Sequence, residues 1–133
     1  MKLSTKSRYG LRMLVDIYNQ DKETPTTLAS IAERQNVSVN YLEQIASDLK
    51  RAGFIYSVKG ANGGYFLSKE ANEIIVGDVL KILEGDVHVT DVFPKDESML
   101  QEIIRQTVYD EINTKITNLV DSLTLKDLMG RYK

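Results

Sequence analysis

Hydrophobic positions follow a helical period between Ser38 and Ala52. Four apolar residues share the i, i+3, i+4, i+7 spacing of one buried helix face: Leu42, Ile45, Ala46 and Leu49. Ser38 is a residue type that caps helix starts, and Gly53 is one that ends them. The pattern therefore predicts a helix over about residues 38–52 with one side packed on a core.

The opposite side of this helix carries short polar side chains that can hydrogen-bond to base edges. They are Asn40, Glu43, Gln44 and Ser47. Asn and Gln can each make two hydrogen bonds to adenine, and Glu43 can accept one from cytosine. The helix is therefore predicted to enter a groove of DNA.

Two further helices are predicted ahead of it. Ser4 or Thr5 can cap a first helix that runs to about residue 20. Its predicted inner face consists of Leu11, Leu14, Val15 and Tyr18. Thr27 can cap a short second helix, and Asn36 can adopt the left-handed conformation that the following turn requires. The second helix is predicted to bury Leu28, Ile31 and Ala32.

β-forming residues at 54–59 and 65–68 flank a glycine-rich turn, Gly60-Ala-Asn-Gly-Gly64, which is a hairpin signal. Such a turn can be mistaken for a phosphate-binding loop. No Lys-Ser or Lys-Thr follows it, as a nucleotide-binding loop requires, so the hairpin is favoured. Helix, turn, helix and hairpin in this order predict a winged helix-turn-helix.

The chain beyond the hairpin is predicted to start with a helix from about Val76 to Glu84 that ends at Gly85. Residues 86–97 show no helical period and are predicted to form an acidic loop. The loop contains His88 without a nearby partner in the sequence, which favours a solvated side chain over a ligand or a switch.

The last long element carries an apolar stripe over 24 residues, about 36 Å of helix. The stripe comprises Leu100, Ile103, Ile104, Val108, Ile112, Ile116, Leu119, Val120 and Leu123. A helix of this length extends beyond the small domain beside it, so the favoured partner is the same helix of a second subunit. Thr124 can cap a short final helix from Leu125 to Met129.

Composition excludes several classes of protein. The 133 residues are 42% hydrophobic and 27% charged, as expected of a compact globular chain. No apolar run is long enough to span a membrane and no signal-peptide segment is present, so we expect a cytoplasmic protein without a membrane partner. The sequence has no cysteine and one histidine, so we predict no metal, cofactor or cysteine-ligated iron–sulfur cluster.

Positive charge is concentrated in the first half of the chain. Residues 1–70 contain ten Lys or Arg and seven acids, a net of +3, whereas residues 71–133 contain seven and twelve, a net of −5. Phosphate affinity requires a local basic face and not a basic protein. Lys6, Arg8 and Lys50 are the candidate phosphate contacts, which would position the protein without reading sequence.

Other interpretations stay open at this point. The helix pair could be purely structural, or the polar stripe could bind a protein, in which case binding would lack the steep salt dependence of a DNA complex. Tyr41 suits the core and a phosphate contact equally. An enzyme is disfavoured because the sequence offers no convergent catalytic set.

A series of motifs runs in order through the first 85 residues. They are Ser4-x-Lys6-x-Arg8-Tyr9-Gly10-Leu11, Tyr41-Leu42-Glu43-Gln44-Ile45, Leu49-Lys50-x-Ala52-Gly53-Phe54-Ile55, Ser57-Val58-Lys59-Gly60-x-x-Gly63-Gly64-Tyr65-x-Leu67, Gly77-Asp78-Val79 and Leu83-Glu84-Gly85, with Thr124-Leu125-x-Asp127-Leu128 near the C-terminus. The series resembles the bacterial winged-helix regulators related to the iron–sulfur cluster regulator, the nitric-oxide-sensing repressor and the cysteine-metabolism repressor.

The resemblance implies a mainly α fold with a small β-hairpin, built as a winged helix-turn-helix plus a long C-terminal dimerisation helix. Residues 1–85 would form the DNA-binding domain, 86–97 the loop in which relatives sense signals, and 98–133 the dimerisation helix and a short terminal helix. Dimer contacts would come from Leu100, Ile103, Ile104, Val108, Ile112, Ile116, Leu119 and Val120.

The resemblance also assigns DNA contacts. The recognition helix would place Ser38, Asn40, Tyr41, Glu43, Gln44 and Ser47 in the major groove, and the wing would contribute Lys59, Asn62, Gly63 and Gly64. Lys59 stands where many relatives have arginine; it keeps the charge but lacks the planar fork. The double-stranded target is expected to be a partly palindromic operator.

The cysteine content separates this chain from part of the family. Cluster-binding relatives place three cysteines before and at the start of the long helix, and this chain has none from Val87 to Thr107. It therefore most resembles the cysteine-metabolism repressor branch, which implies repression of sulfur-assimilation genes and a possible complex with cysteine synthase. A small-molecule or other stress signal is the alternative.

Overall fold

The computed structural model describes residues 3–85 and 98–129. The first segment contains α1 (Thr5–Asn19), α2 (Leu28–Gln35), α3 (Val39–Arg51), β1 (Ile55–Val58), β2 (Gly64–Leu67), a 3-10 turn (Ala71–Glu73) and α4 (Val76–Glu84). The second contains α5 (Met99–Ile104), a π-helical turn (Arg105–Tyr109), α6 (Asp110–Ser122) and α7 (Leu125–Met129). The predicted fold class, mainly helical with one antiparallel hairpin, is confirmed. The loop predicted at 86–97, with His88, lies outside the described residues.

Each of the first three helices begins at a hydroxyl side chain, as predicted. The hydroxyl oxygens of Ser4, Thr27 and Ser38 accept hydrogen bonds from the amide three residues on, at 3.2, 3.1 and 3.2 Å. Asn36 ends α2 with a φ of 53°, the left-handed conformation predicted for the turn. These caps fix where α2 stops and where α3 starts.

The helices α1, α3 and α4 meet at Gly10. A Cβ atom on Gly10 would lie 2.1 Å from Leu83 Cδ1 of α4 and 3.5 Å from Ile45 Cγ2 of α3. The absence of a side chain therefore lets the three helices approach closely. The four predicted core residues of α3 (Leu42, Ile45, Ala46 and Leu49) are all buried.

The inner face of α1 differs from the prediction. Leu14 is buried, but Leu11, Val15 and Tyr18 are only half-buried, and Leu28 of α2 is half-buried as well. The helix instead buries Met13 and Ile17 together with Ser7, Gly10 and Asp16. The prediction missed this face because two polar residues, Ser7 and Asp16, lie on it and find their partners on other helices.

Asp16 joins α1 to α2 through a hydrogen-bonded ion pair. Arg34 donates from Nη2 to Oδ1 at 2.7 Å and from Nε to Oδ2 at 3.0 Å, and Gln35 donates to Oδ2 at 2.9 Å. The hydrogen bond to Asp16 raises the pKa of Arg34 above its ordinary value. The buried Asp16 carboxylate is thus fully hydrogen-bonded, and these bonds hold α2 against α1.

The first strand of the hairpin is shorter than predicted, the second begins one residue earlier, and the hairpin is anchored near its turn. Ile55 pairs with Leu67 and Val58 with Gly64. Thr26, in the loop before α2, exchanges two backbone hydrogen bonds with Tyr65, at 2.9 and 2.8 Å. A Cβ on Gly64 would lie 2.6 Å from the carbonyl oxygen of Thr26, so this close approach requires glycine. The loop before α2 and β2 therefore form a second pairing, on the edge of β2 that does not face β1.

The long C-terminal helix, residues 99–122, is formed by α5, the π turn and α6. None of its residues, all of which the structure describes, is buried. Its large apolar side chains include Met99, Leu100, Ile103, Val108, Ile112 and Leu119, which are 38–77% exposed. The predicted single helix is thus interrupted by one wider turn, and its apolar stripe is left open.

The C-terminal end of this helix is fixed to α4. The amide of Val76 donates to the carbonyl of Leu123 at 2.8 Å, and the amide of Leu125 donates to the carbonyl of Ile74 at 2.9 Å. Leu125 is fully buried, and a Cβ on Gly77 would lie 2.0 Å from Asp121 Oδ1 and 3.2 Å from Val120 Cγ2, so α6 approaches α4 closely at this glycine. The long helix therefore leaves the first 85 residues from a rigid attachment.

Candidate nucleic-acid interface

The outer face of α3 presents the four polar residues predicted to read bases. Asn40, Glu43, Gln44 and Ser47 are all exposed. In the part of the chain that the structure describes, no hydrogen bond or ion pair engages the side chains of Asn40, Glu43 or Gln44. Their donors and acceptors are therefore available to a ligand that approaches this face.

Ser38 and Tyr41 lie at the start of the same helix and are held by contacts within the protein. The Ser38 hydroxyl accepts the amide of Tyr41 and so acts as the helix cap. The half-buried Tyr41 ring meets Tyr9 edge-to-face, with centroids 6.1 Å apart, and the Arg12 guanidinium lies 4.8 Å from the Tyr9 centroid. Of the two open interpretations of Tyr41, packing on the core is present, and its exposed part borders the polar face.

A charged cluster, Lys6–Asp48–Arg51, lies beside the polar face. Lys6 of α1 forms an ion pair with Asp48 of α3, and Arg51 approaches the same carboxylate at 3.4 Å. Two cations thus share one acid, which leaves net positive charge beside the helix. Lys6 contacts Asp48 in this structure, so it would have to exchange that carboxylate for a phosphate.

The wing, residues 55–67, is tied to the end of α3. Lys50 Nζ donates to Ser57 Oγ at 2.8 Å, which gives this predicted phosphate contact a partner on β1. Lys59 and Asn62, at the tip, are exposed. A Cβ on Gly63 would lie 2.2 Å from the Val58 carbonyl oxygen, so tight turn geometry alone requires this glycine.

The start of α1 is anchored to the end of α4 through Glu84. The amide of Ser4 donates to the Glu84 carboxylate at 3.0 Å and its hydroxyl donates at 2.6 Å, while the Ser7 hydroxyl donates to the same carboxylate. The hydrogen bonds from Ser4 and then Ser7 hold the pKa of Glu84 below its ordinary value. Arg8, one turn along, is exposed and donates to Thr5 Oγ1 at 3.1 Å.

The arrangement suits recognition of a charged, hydrogen-bonding surface. The open amide and carboxylate groups of α3 are flanked by cations beside the helix, at its end and on the wing. Sequence reasoning identified the polar face but missed Tyr9, Asp48 and Arg51. The sequence pointed to Asp48 and Arg51 as well, because they follow the predicted base-reading residues at helical spacing on the same helix.

Comparison with known proteins places the chain in a family. Residues 3–131 match the Rrf2 family model, described as an iron-dependent transcriptional regulator. The chain belongs to the Rrf2 family. It is a DNA-binding transcriptional regulator and not an enzyme, and the predicted recognition is confirmed.

Several Rrf2 relatives match over nearly the whole chain. The regulator CymR of Bacillus subtilis is 39% identical over 128 residues, which cover 96% of this chain and 89% of CymR. Protein rrf2 of Nitratidesulfovibrio vulgaris is 41% identical over 132 residues, covering 97% and 87%. The regulator IscR of Pectobacterium atrosepticum is 35% identical over 131 residues, covering 98% and 80%.

Solved structures of Rrf2 proteins show the same fold. CymR of B. subtilis, described as its global cysteine regulator, superimposes with a TM-score of 0.86 at 36% identity and covers 100% of this chain and 99% of its own. The T. potens IscR superimposes with a TM-score of 0.80 at 37% identity, covering 100% and 89%.

The Rrf2 description raises the question of iron. Cysteine-ligated clusters require thiolates, and this sequence has no cysteine. Residues 3–85 and 98–129 also bring together no group of three or more His, Asp or Glu that could hold a metal ion. The residues present therefore do not fit such a cluster.

Among the described residues no helix is both long and apolar enough to cross a membrane.

Proposed function

We propose that this protein is a homodimeric repressor of sulfur and cysteine metabolism genes in the cytoplasm, that it binds a partly palindromic operator, and that it works without an iron–sulfur cluster. The observation that carries the proposal is the open polar face of α3 beside the Lys6–Asp48–Arg51 cluster and the exposed tip of the wing. Similarity to CymR, a cysteine regulator, supports the sulfur assignment.

The proposed dimer divides the chain into two working parts. Residues 1–85 are the DNA-binding domain, and residues 98–133 join two copies through the exposed apolar stripe of the long helix. A two-fold axis between two such domains requires operator half-sites whose centres lie about 34 Å apart, or a multiple of that distance. The rigid attachment of the long helix to α4 supports a fixed spacing between the two domains.

Base reading is assigned to the side chains of α3 that have no partner. Asn40 and Gln44 suit adenine, which presents one donor and one acceptor in the major groove, and Glu43 suits the amino group of cytosine. Glu43 also repels guanine acceptors and phosphates, so it rejects some sequences as well as selecting others. Arg8, Lys50 and Lys6 contact phosphates, and Lys59 and Asn62 bring the wing toward the minor groove.

The signal that controls the repressor is proposed to come from a protein. The resemblance to the cysteine-metabolism branch supports cysteine synthase as that partner, and a sulfur metabolite is the alternative. Calorimetry with cysteine synthase and with free sulfur metabolites separates the two.

Selection of bound sequences from random DNA, with and without cysteine synthase, tests the proposal. The expected result is enrichment of one partly palindromic site whose half-sites obey the spacing above. Binding to this site should weaken steeply as salt rises, because phosphate contacts release counterions. Enrichment of no palindrome, with binding that salt leaves unchanged, would contradict the operator and favour a protein-docking role for the polar face.

The variant Gln44→Ala tests base reading directly. It should weaken binding to the selected site by about 1–3 kcal/mol and leave binding to random DNA nearly unchanged. Asn72→Ala is a matched control, because it removes an exposed amide from the 3-10 turn. Equal losses on both DNAs for Gln44→Ala would show that Gln44 does not read a base.

A further inference from the structure

The long helix contains a π-helical turn in the middle of an otherwise α-helical path. The amide of Asp110 donates to the carbonyl of Arg105, five residues earlier, where an α-helix would use the fourth. Such turns amount to one inserted residue, are rare, and occur often at functional sites. The position of this turn calls for a physical reason.

The spacing of the apolar stripe supplies that reason. Six members of the stripe follow one another at intervals of four residues: Leu100, Ile104, Val108, Ile112, Ile116 and Val120. An α-helix turns about 100° per residue, so each four-residue step overshoots a full turn by about 40°. Over five steps the stripe would wind by about 200° and reach the opposite side of the helix. A partner helix could not contact both ends of it.

The π turn reverses much of this winding. A turn closed by i to i+5 hydrogen bonds rotates by about 82° per residue, so its five residues remove roughly 90° of rotation. The six positions then span about 110°, close to the width of an ordinary packing face. The turn thus brings Leu100 and Ile103, before it, onto the same side as Ile112 and Leu119, after it.

Side chains around the turn are matched to this geometry. Arg105 Nη1 donates to Asp110 Oδ2 at 3.0 Å, and Arg105 also forms an ion pair with Glu102. Residues five apart lie about 140° apart around an α-helix but only about 50° apart around a π turn, by the rotations above. The contact between Arg105 and Asp110 is therefore specific to the wider turn.

We propose that the π turn is a register device that aligns the two halves of the stripe into one continuous face, and that a second copy of this chain occupies that face. The inference rests on the proposed homodimer. The second copy is indicated because the five apolar positions from Ile104 to Val120 are evenly spaced about Ile112 and coincide with themselves when the helix is reversed, as a two-fold contact requires.

Opposite one-residue changes at the turn test the register. Deletion of Thr107 converts the π turn into a regular α turn and keeps the stripe aligned, so the dimer dissociation constant should stay within about threefold of the unaltered chain. Insertion of one alanine after Thr107 rotates one half by about 100° and should raise that constant at least about tenfold. Sedimentation of the full chain measures all three proteins, and urea unfolding checks that each is folded.

The outcomes separate the two proposals. An unaltered chain that sediments as a monomer would overturn the homodimer and this inference with it. A dimeric unaltered chain whose deletion variant dissociates as strongly as the insertion variant would overturn the register device alone. Equal tolerance of both changes would overturn it too, because register would then be irrelevant.

Labelling of single introduced cysteines tests the same face independently, because it leaves the length of the chain unchanged. The protein has no cysteine, which gives a clean background for Leu100→Cys and Leu119→Cys. Both thiols should react at least about tenfold more slowly with an exposed-thiol reagent at dimer concentrations than after dilution. Thr114→Cys, on the opposite side, should react equally in both. Protection of only one stripe position would refute the alignment.

Discussion

Replacement of Arg34 by methionine is expected to destabilise the protein through the charge that it leaves behind. The Asp16 side chain is 2% exposed, whereas that of Arg34 is 38% exposed. Arg34→Met keeps most of the apolar length but removes the bonds from both guanidinium nitrogens, so the carboxylate retains only Gln35. Breaking a buried pair in this way costs about 3–5 kcal/mol. Because water can enter where the half-exposed guanidinium lay, we expect about 3 kcal/mol.

A second substitution distinguishes this mechanism from a simple loss of packing. Asp16→Asn in the Arg34→Met background removes the buried charge and should recover about 1–2 kcal/mol, so the double variant should be more stable than the single one. Urea unfolding at one fixed protein concentration measures both, since subunit association would otherwise change the apparent stability. A double variant less stable than Arg34→Met would refute the reasoning.

Two further predictions concern the ends of helices. Glu84→Gln should lower the free energy of unfolding by about 1–3 kcal/mol at neutral pH, because the donors at Ser4 and Ser7 lose a charged acceptor and one of its two oxygens. Because the pKa of Glu84 is lowered, the difference in free energy of unfolding between the two proteins should be complete above the ordinary value of 4.5 and shrink as pH falls through the lowered value. Denaturation at a series of pH values measures this difference. A difference that grows on acidification would contradict the prediction. Asn36→Ala should lower the free energy of unfolding by about 1–2 kcal/mol, because Asn36 has a φ of 53° that alanine adopts poorly, whereas Asn36→Gly should lower it less. Thermal unfolding compares the two variants, and equal losses of stability would count against backbone strain.

The parts of the fold that depend on neighbouring residues were predictable from the sequence. The caps at Ser4, Thr27 and Ser38, the left-handed Asn36 and the buried face of α3 all follow from short-range chemistry. The inner face of α1 did not, because most of its central residues are apolar and either side could face inward. The choice depends on Glu84 and Arg34, partners of Ser7 and Asp16 that lie on other helices.

The candidate interface also contains features that depend on neighbouring residues and features that depend on distant ones. An alternation of apolar and polar positions was enough to identify the open face of α3, since exposure there needs no long-range partner. The ion pair between Lys6 and Asp48 joins residues 42 positions apart, so the sequence showed a free lysine where the structure shows an engaged one. The π turn was not predicted, although the four-residue spacing of the stripe cannot form one continuous face on a straight α-helix.

The pairing of Thr26 with Tyr65 has a consequence for when the wing becomes ordered. The loop before α2 and the turn end of β2 lose their conformational freedom as the protein folds, so little entropy remains to be lost there when DNA binds. Of the wing, only the tip, residues 59–63, stays outside the pairing. In the proposed complex α3 and the wing would meet the duplex as one preformed shape, and a DNA site too stiff to match their spacing would be rejected.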